Sequence, residues 1–378
     1  MTKSKAVGST VLWLAILASS PSKGAVMYTV TNLGTLPGGT GSAATGINNS
    51  GQIVGNATTA NGSSHAFLYG AGQMQDLGTL GYPQSRAYGI NNAGQVVGTV
   101  GVPLPSINST FAFLYSGGSM QLVSIGSTGQ QNGASGINDA GQIVGAGTTA
   151  SGDTHAYVYN INSGLAQDLG TLPGGTSSGA SDINNAGEVV GSSQTALGND
   201  AFSYNGGSML DLGNLGGGLS IAYGINNSGQ IVGYSYIASG SSHAFLYSGT
   251  QMQDLGTLGG ATSFAYGINN SGQVVGYSIT AGGVPHAILY SSGVMTDLNT
   301  LIDPSSSWTL YGANAINDLG QIVGVGWNSA AGQSDAFLLT PTPEPGTLTL
   351  LAMGGLAILR GSSGNAHRHR SAQNRLCN

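Results

Sequence analysis

Short apolar runs divided by Gly, Asn and Ser pass along most of the chain, and the pattern is clearest at residues 224–258, GINNSGQIVGYSYIASGSSHAFLYSGTQMQDLGTL. With small changes this stretch returns seven times. Each complete copy holds four runs: one ending in Gly-Ile-Asn or its equivalent, then GQIVG, then HAFLY, then MQDLGTL. The isoleucine of the first run stands at Ile47, Ile90, Ile137, Ile183, Ile225, Ile268 and Ile316, at spacings of 43, 47, 46, 42, 43 and 48 residues. Runs this short predict strands, and a period in the forties with four strands per unit predicts one blade of a β-propeller. Ile231-Val232 and Ala244-Phe245-Leu246-Tyr247 are unbroken apolar runs without alternation. Successive strand residues point to opposite faces, so both faces of each small sheet must be covered. Blades stacked around an axis meet that demand, and an open sheet with one wet face does not.

Within a unit, Asn-Asn-Ser-Gly or Asn-Asp-Ala-Gly joins the first two runs. It predicts a tight hairpin, because Asn and Gly both accept left-handed backbone. The next connection reads as looser, as at 56–64 and 100–110. The last unit contains Ala315-Ile316-Asn317, then GQIVG at 320–324 and DAFLL at 335–339, but no MQDLGTL run. An equivalent stands at the other end of the chain, YTVTNLGTL at 28–36. The N-terminal strand is therefore expected to complete the last blade, closing an all-β ring of seven four-stranded blades with no long unpaired edge.

The flanks have another character. Lys3 and Lys5 precede the apolar run VLWLAILA at 11–18, and small residues follow; this layout predicts a signal peptide over 1–25, ahead of a propeller over 26–340. A Pro-rich linker follows at 341–346, then an apolar segment at 347–360 and a basic tail at 361–378. Its thirteen residues before Arg360 span about 20 Å as a helix, against roughly 30 Å of hydrocarbon, so the segment is a short transmembrane candidate. The basic tail would lie on the cytoplasmic side.

Charge sharpens the picture by position. Lys3, Lys5 and Lys23 lie in the leader, four of the five arginines follow residue 359, and Arg86 is the one basic side chain between. All fourteen acids fall in that middle, a net of −13. Such a body cannot neutralise phosphates, which excludes nucleic acid and anionic membrane surfaces as its partners. The single cysteine, Cys377, permits no intramolecular disulfide and no cysteine-based metal site.

Candidate chemistry is sparse. His65, His155, His243 and His286 recur at one position of the unit, where the other copies hold Phe111, Asp200 and Asp335. Copies of one position lie on different blades, so a local hydrogen bond is the expected role. The natural partner is the acid of the fourth run, Asp76, Asp168, Asp211, Asp254 or Asp297, with Asn32 and Gln121 in the remaining copies. A calcium site needs several carboxylates, whereas a hairpin such as Asn48-Asn49-Ser50-Gly51 offers none, and no G-x-S-x-G elbow, HExxH, P-loop or dinucleotide fingerprint is expected. No cofactor and no metal are implied. Sugars stack on aromatic faces, and the tryptophans outside the leader, Trp308 and Trp327, share the last unit with Tyr311. These three are the candidate ligand contacts, with packing at ring closure as their other reading.

Two resemblances rest on these motifs. The GINNxGQIVG, HAFLY and DLGTLGG units, from about residue 28 to 340, resemble those of bacterial extracellular proteins of the HAF-repeat family. Pro343-Glu344-Pro345, the apolar segment and Arg360 resemble a PEP-CTERM sorting signal, although eighteen residues follow Arg360 where a compact basic cluster is usual. The second resemblance implies an exosortase partner, transient inner-membrane anchoring and release or transfer to the cell surface. The expected function is that of an exported, surface-sorted, non-enzymatic structural or binding protein of the envelope or polysaccharide matrix. The alternatives are a carbohydrate-binding propeller and, second, a polysaccharide hydrolase or lyase.

Overall fold

The computed structural model describes residues 26–101, 110–123 and 132–342. They form seven antiparallel four-stranded sheets arranged as a seven-bladed β-propeller, within the compact unit Met27–Thr342. Blade 5 shows the plan: Gly216–Ile225 is its innermost strand, followed outward by Ile231–Ile237, Ser242–Tyr247 and Met252–Asp254. The other innermost strands are Ser42–Ile47, Gln84–Ile90, Asn132–Ile137, Ser178–Ile183, Gly259–Ile268 and Trp308–Ile316, in blades 1 to 4, 6 and 7. Blade 7 is completed by Tyr28–Gly34, which pairs with Gln333–Pro341 as the outermost strand. The first strand of the chain thus closes the ring, as the missing run at the other end requires.

The unbroken apolar runs acquire a reason in the packing. Ile231 and Phe245 face the preceding blade with Val190 and Ala201, while Val232 and Ala244 face the next blade with Ala265 and Val274. Neighbouring residues of one strand are buried on opposite faces, which removes the polar alternation of a one-sided sheet. Phe67, Phe113, Phe202, Phe245 and Phe337 of the third run are all fully buried.

Each innermost strand also carries a bulge just before its Gly-Ile-Asn or equivalent, where pairing skips one residue, as between Ala222 and Gly224. The bulge drives a carbonyl toward the second strand, and the last residue of GQIVG must make room for it. A Cβ on Gly233 would lie 2.0 Å from the Ile221 carbonyl oxygen. The same collision, at 1.8 to 2.0 Å, awaits a Cβ at Gly55, Gly98, Gly145, Gly191, Gly276 and Gly324. This glycine is demanded by close approach of the backbone and not by a left-handed conformation.

Two turn expectations need correction. In the first hairpin only the glycine is left-handed, with Gly51 at φ +75°. Its asparagine has another task, described below. The second connection is also tight where it is described: Thr59 N–H donates to the Ser63 carbonyl and Gly62 N–H to the Thr59 carbonyl. Asn61 accepts from the Ser63 N–H and stiffens that turn. In blade 2, residues 102–109 of this connection lie outside the described residues.

Candidate functional site

The seven innermost strands end in turns that converge on one axial pocket, lined by the Ile-Asn-Asn or Ile-Asn-Asp residues of every blade. The first asparagine of each turn reaches across to the next blade. Asn48 Nδ2 donates to the Asn91 carbonyl, Asn91 to Asn138, Asn138 to Asn184, Asn184 to Asn226, Asn226 to Asn269, Asn269 to Asn317, and Asn317 back to Asn48. Each side chain also caps its own hairpin, as Asn226 Oδ1 does by accepting from the N–H groups of Ser228 and Gln230. The second residue of each turn forms a concentric ring. Its backbone N–H donates to the side-chain oxygen of the next copy, from Asn49 to Asn92 and onward through Asp139, Asn185, Asn227, Asn270 and Asp318 to Asn49. Two closed rings of seven hydrogen bonds therefore lock the blades at this end of the axis. This network was missed from the sequence, although its signal, an Asn-Asn or Asn-Asp pair in every unit, is plain there.

The two carboxylates in the second ring are held by their neighbours. Burial alone would raise Asp139, but hydrogen bonds from the backbone and side chain of Asn92 and the side chain of Asn185 bring it below its ordinary value. Asp318 is lowered in the same way, by Asn270 and Asn49 against the effect of burial. Asp182 behaves oppositely. It stands where five other blades have glycine, half-buried in the lining of the pocket. Burial pushes its carboxyl up to about 6, although the N–H groups of Ile183 and Ile225 donate to its two oxygens.

The recurrent histidines do pair with the acids of the fourth run. Nδ1 lies 2.8 Å from the carboxylate in His65–Asp76 and His243–Asp254, 2.9 Å in His155–Asp168 and 2.6 Å in His286–Asp297. The acid has a second duty: Asp76, Asp168 and Asp254 each accept the backbone N–H two residues on, starting the turn toward the next blade. The other blades use substitutes. In blade 7 Asn32 Nδ2 donates to Asp335, and in blade 4 Asp200 accepts from Thr195 and Asn214 instead of meeting Asp211. In blade 2 the equivalent of Asp76 is Leu122, not Gln121, since both stand opposite the buried phenylalanine of the third strand. Gln121 is one residue early, on the other face. Among the described residues no group of three or more His, Cys, Asp or Glu could hold a metal.

The axial wall is where the blades differ. At the third residue before the Gly-Ile-Asn glycine or its equivalent, and at its pairing partner on the second strand, blades 3 and 4 carry only small residues. Blades 5 and 6 carry rings. Tyr234 meets Phe264 at 4.5 Å between centroids, Phe264 stacks on Tyr277 at 5.0 Å, and Tyr223 meets Tyr266 at 5.3 Å. Burial and the neighbouring phenols push Tyr223 up to about 12 and raise Tyr266 further, so these hydroxyls stay neutral. Arg86 and Tyr88 are exposed on the innermost strand of blade 2, alternating with the buried Ser85 and Ala87.

The residues singled out from sequence are not gathered into one place. Trp308 pairs with Asn328 and Trp327 with Thr309, so the two tryptophans leave opposite faces of blade 7. Trp308 packs edge-on against the Phe337 ring, Trp327 is 39% exposed, and Tyr311 occupies a bulge. The letters G-x-S-x-G do occur once, at 175–179, contrary to expectation. They lead into the strand Ser178–Ile183 and not into a helix, so Ser177 is no nucleophile elbow. Pro343, Glu344, Pro345 and Arg360 lie outside the described residues, as do the whole leader at 1–25 and the whole apolar segment. Among the described residues no helix is long and apolar enough to cross a membrane.

Fold and axial architecture together define a closed seven-bladed β-propeller. No family model and no curated protein matches the chain. Solved structures do. An oligogalacturonate lyase in complex with manganese superposes with a TM-score of 0.52 at 12% identity, covering 85% of this chain and 94% of that one. The oligogalacturonate lyase of Vibrio parahaemolyticus gives 0.51 at 10%, covering 83% and 94%. A puromycin-hydrolysing peptidase of Mycobacterium tuberculosis gives 0.51 at 10%, covering 82% of this chain but 52% of its own length. At such identities these likenesses establish the fold alone.

Proposed function

We propose that this chain is an exported, surface-sorted, non-enzymatic binding or structural module of a bacterial envelope or extracellular matrix. The observation that carries the reading is the use made of its recurrent polar groups. Four histidines and their aspartates form pairs on separate blades and hold turns, and the axial asparagines hold the blades to one another. Groups committed in this way serve the scaffold. The blade-specific side chains left over, among them Arg86, Tyr223 and Tyr266, stand on innermost strands beside the axis, which suits binding. Export and sorting rest on the leader at 1–25 and the Pro343-Glu344-Pro345 and Arg360 pattern, with an exosortase as the processing partner and a transient membrane anchor at 347–360.

The test is mass spectrometry of the protein from its native host, with cell-bound, membrane and medium fractions analysed separately. A mature N terminus near residue 25 and a C terminus close to Pro343-Glu344-Pro345 in surface or medium fractions is expected. An unprocessed cytoplasmic chain would overturn export and sorting. Turnover of a polysaccharide by the purified protein would overturn the non-enzymatic part.

A further inference from the structure

We propose that the axial channel binds an oligosaccharide bearing a carboxylate, with Arg86 meeting the carboxylate and the aromatic wall of blades 5 and 6 carrying a sugar ring. This rests on the binding-module reading and gives it a site and a ligand class.

The first observation is where the only cation of the propeller stands. Arg86 is the single Lys or Arg between Lys23 and Arg360. An arginine kept merely for solubility could occupy any outer strand or loop. This one is exposed on a strand beside the axis, at a position held in the other blades by Ala43, Gly133, Gly179, Ile221, Phe264 and Gly312. No salt bridge engages it among the described residues, all of those being His–Asp pairs. A planar guanidinium with free donors is the side chain best shaped to grip a carboxylate through two parallel hydrogen bonds.

The second observation is what faces it. In a ring of seven, the point opposite blade 2 falls where blades 5 and 6 meet, and there the aromatic cluster lies. Tyr223 and Tyr266, 5.3 Å apart, occupy the same bulge position as Tyr88, itself 40% exposed. Between the two walls, blades 3 and 4 contribute Gly133, Ser135, Gly179 and Ser181 on their innermost strands, which leaves room and supplies hydroxyls. The channel therefore opposes one cation to a ring-bearing wall, with small polar residues at one side. The apolar face of a sugar stacks on aromatic rings, its hydroxyls suit serine and neutral tyrosine, and a carboxylate suits the arginine.

Charge limits the ligand further. The acids Asp139, Asp182 and Asp318 belong to the Asn-ring end of the axis. Arg86 precedes Gly89, the counterpart of Asp182, by three positions, about 10 Å along an extended strand, and the ring of Asp139 and Asp318 lies further on, so the arginine stands away from them. With one arginine against thirteen acids between residues 26 and 340, the body repels a densely charged polyanion. A glycan segment carrying one carboxylate fits best.

The experiment is calorimetric titration of the full-length chain with a trisaccharide ending in glucuronate and with its glucose-ended counterpart. The acidic sugar should bind at least tenfold more tightly than the neutral one. Arg86→Gln should abolish that preference with an unchanged thermal midpoint, because the side chain is exposed. Tyr266→Ala should weaken both sugars together, and Trp327→Ala should change neither. Equal binding of the two sugars, a preference that survives Arg86→Gln, or no binding of either would overturn the proposal. Binding lost in Trp327→Ala but kept in the two channel variants would overturn this site and leave the binding-module reading intact. Arg86-dependent binding accompanied by cleavage of the sugar would support the site and overturn the non-enzymatic reading.

Discussion

Single residues in this propeller act less through what they are than through which ring or wall they join. Asp182 is the clearest case, a carboxylate where glycine is the rule, pushed up to about 6 by burial. A carboxyl whose folded value exceeds its unfolded value binds more protons when folded. Its unfavourable ionisation is absent below about pH 4 and grows as pH rises to 6. Stability should therefore fall across that window, by about 2–3 kcal/mol. Asp139 and Asp318 are lowered, so their contribution is present above the ordinary carboxylate value and is lost only as pH falls below it. Urea denaturation of wild type and Asp182→Asn at several pH values separates the two effects. The variant should lose the decline between pH 4 and 6, and identical slopes would show that Asp182 does not cause it.

At the scale of elements, the outermost strand is the shortest of its blade in blades 1, 2, 4, 5 and 6, with only three residues in Met252–Asp254. The His–Asp pair compensates by tying its end to the start of the third strand. His243→Ala should cost about 1 kcal/mol, the ordinary net value of such a hydrogen bond. Asp254→Ala should cost more, because the same carboxylate also accepts the Gly256 N–H that starts the turn into blade 6. Urea unfolding of both single variants and the double variant measures the pair as a coupling energy. Single variants as stable as wild type would refute the staple. The pairing partner was legible in the sequence for four blades, because histidine and acid recur together. It was misread in blade 2, where a one-residue shift in a strand moves a side chain to the other face.

At the scale of the molecule, stability depends on a contact between the two ends of the propeller chain. The strand Tyr28–Gly34 supplies the outer edge of blade 7 and buries Leu33, and Leu36 follows it into the same cluster with Val323 and Ala336. Deleting residues 27–36 should lower the thermal midpoint sharply and expose the edge of Gln333–Pro341 to pairing between molecules. Thermal unfolding and size-exclusion chromatography check both effects. A truncated chain that remains monomeric with an unchanged midpoint would show that closure contributes little. The ring also gives the channel its two-sided character, since only a closed circle of seven sets blade 2 opposite the seam of blades 5 and 6.

The sequence by itself determined the blade number, the four runs per blade, the closing strand and the burial of both sheet faces. Those properties follow from period and from the two-residue alternation of strands, which are local. Tertiary structure decided the rest. The asparagines of the hairpins look like turn formers within one unit, and their link to the next blade exists only once the units are arranged in a ring. Arg86 looks like an isolated charge and Tyr223, Tyr266 and Phe264 like ordinary strand residues until the ring sets them on innermost strands across the axis from one another. Residues from different blades, more than a hundred positions apart, face one axis because the chain curves through a full circle, and no pattern within a single repeat records that.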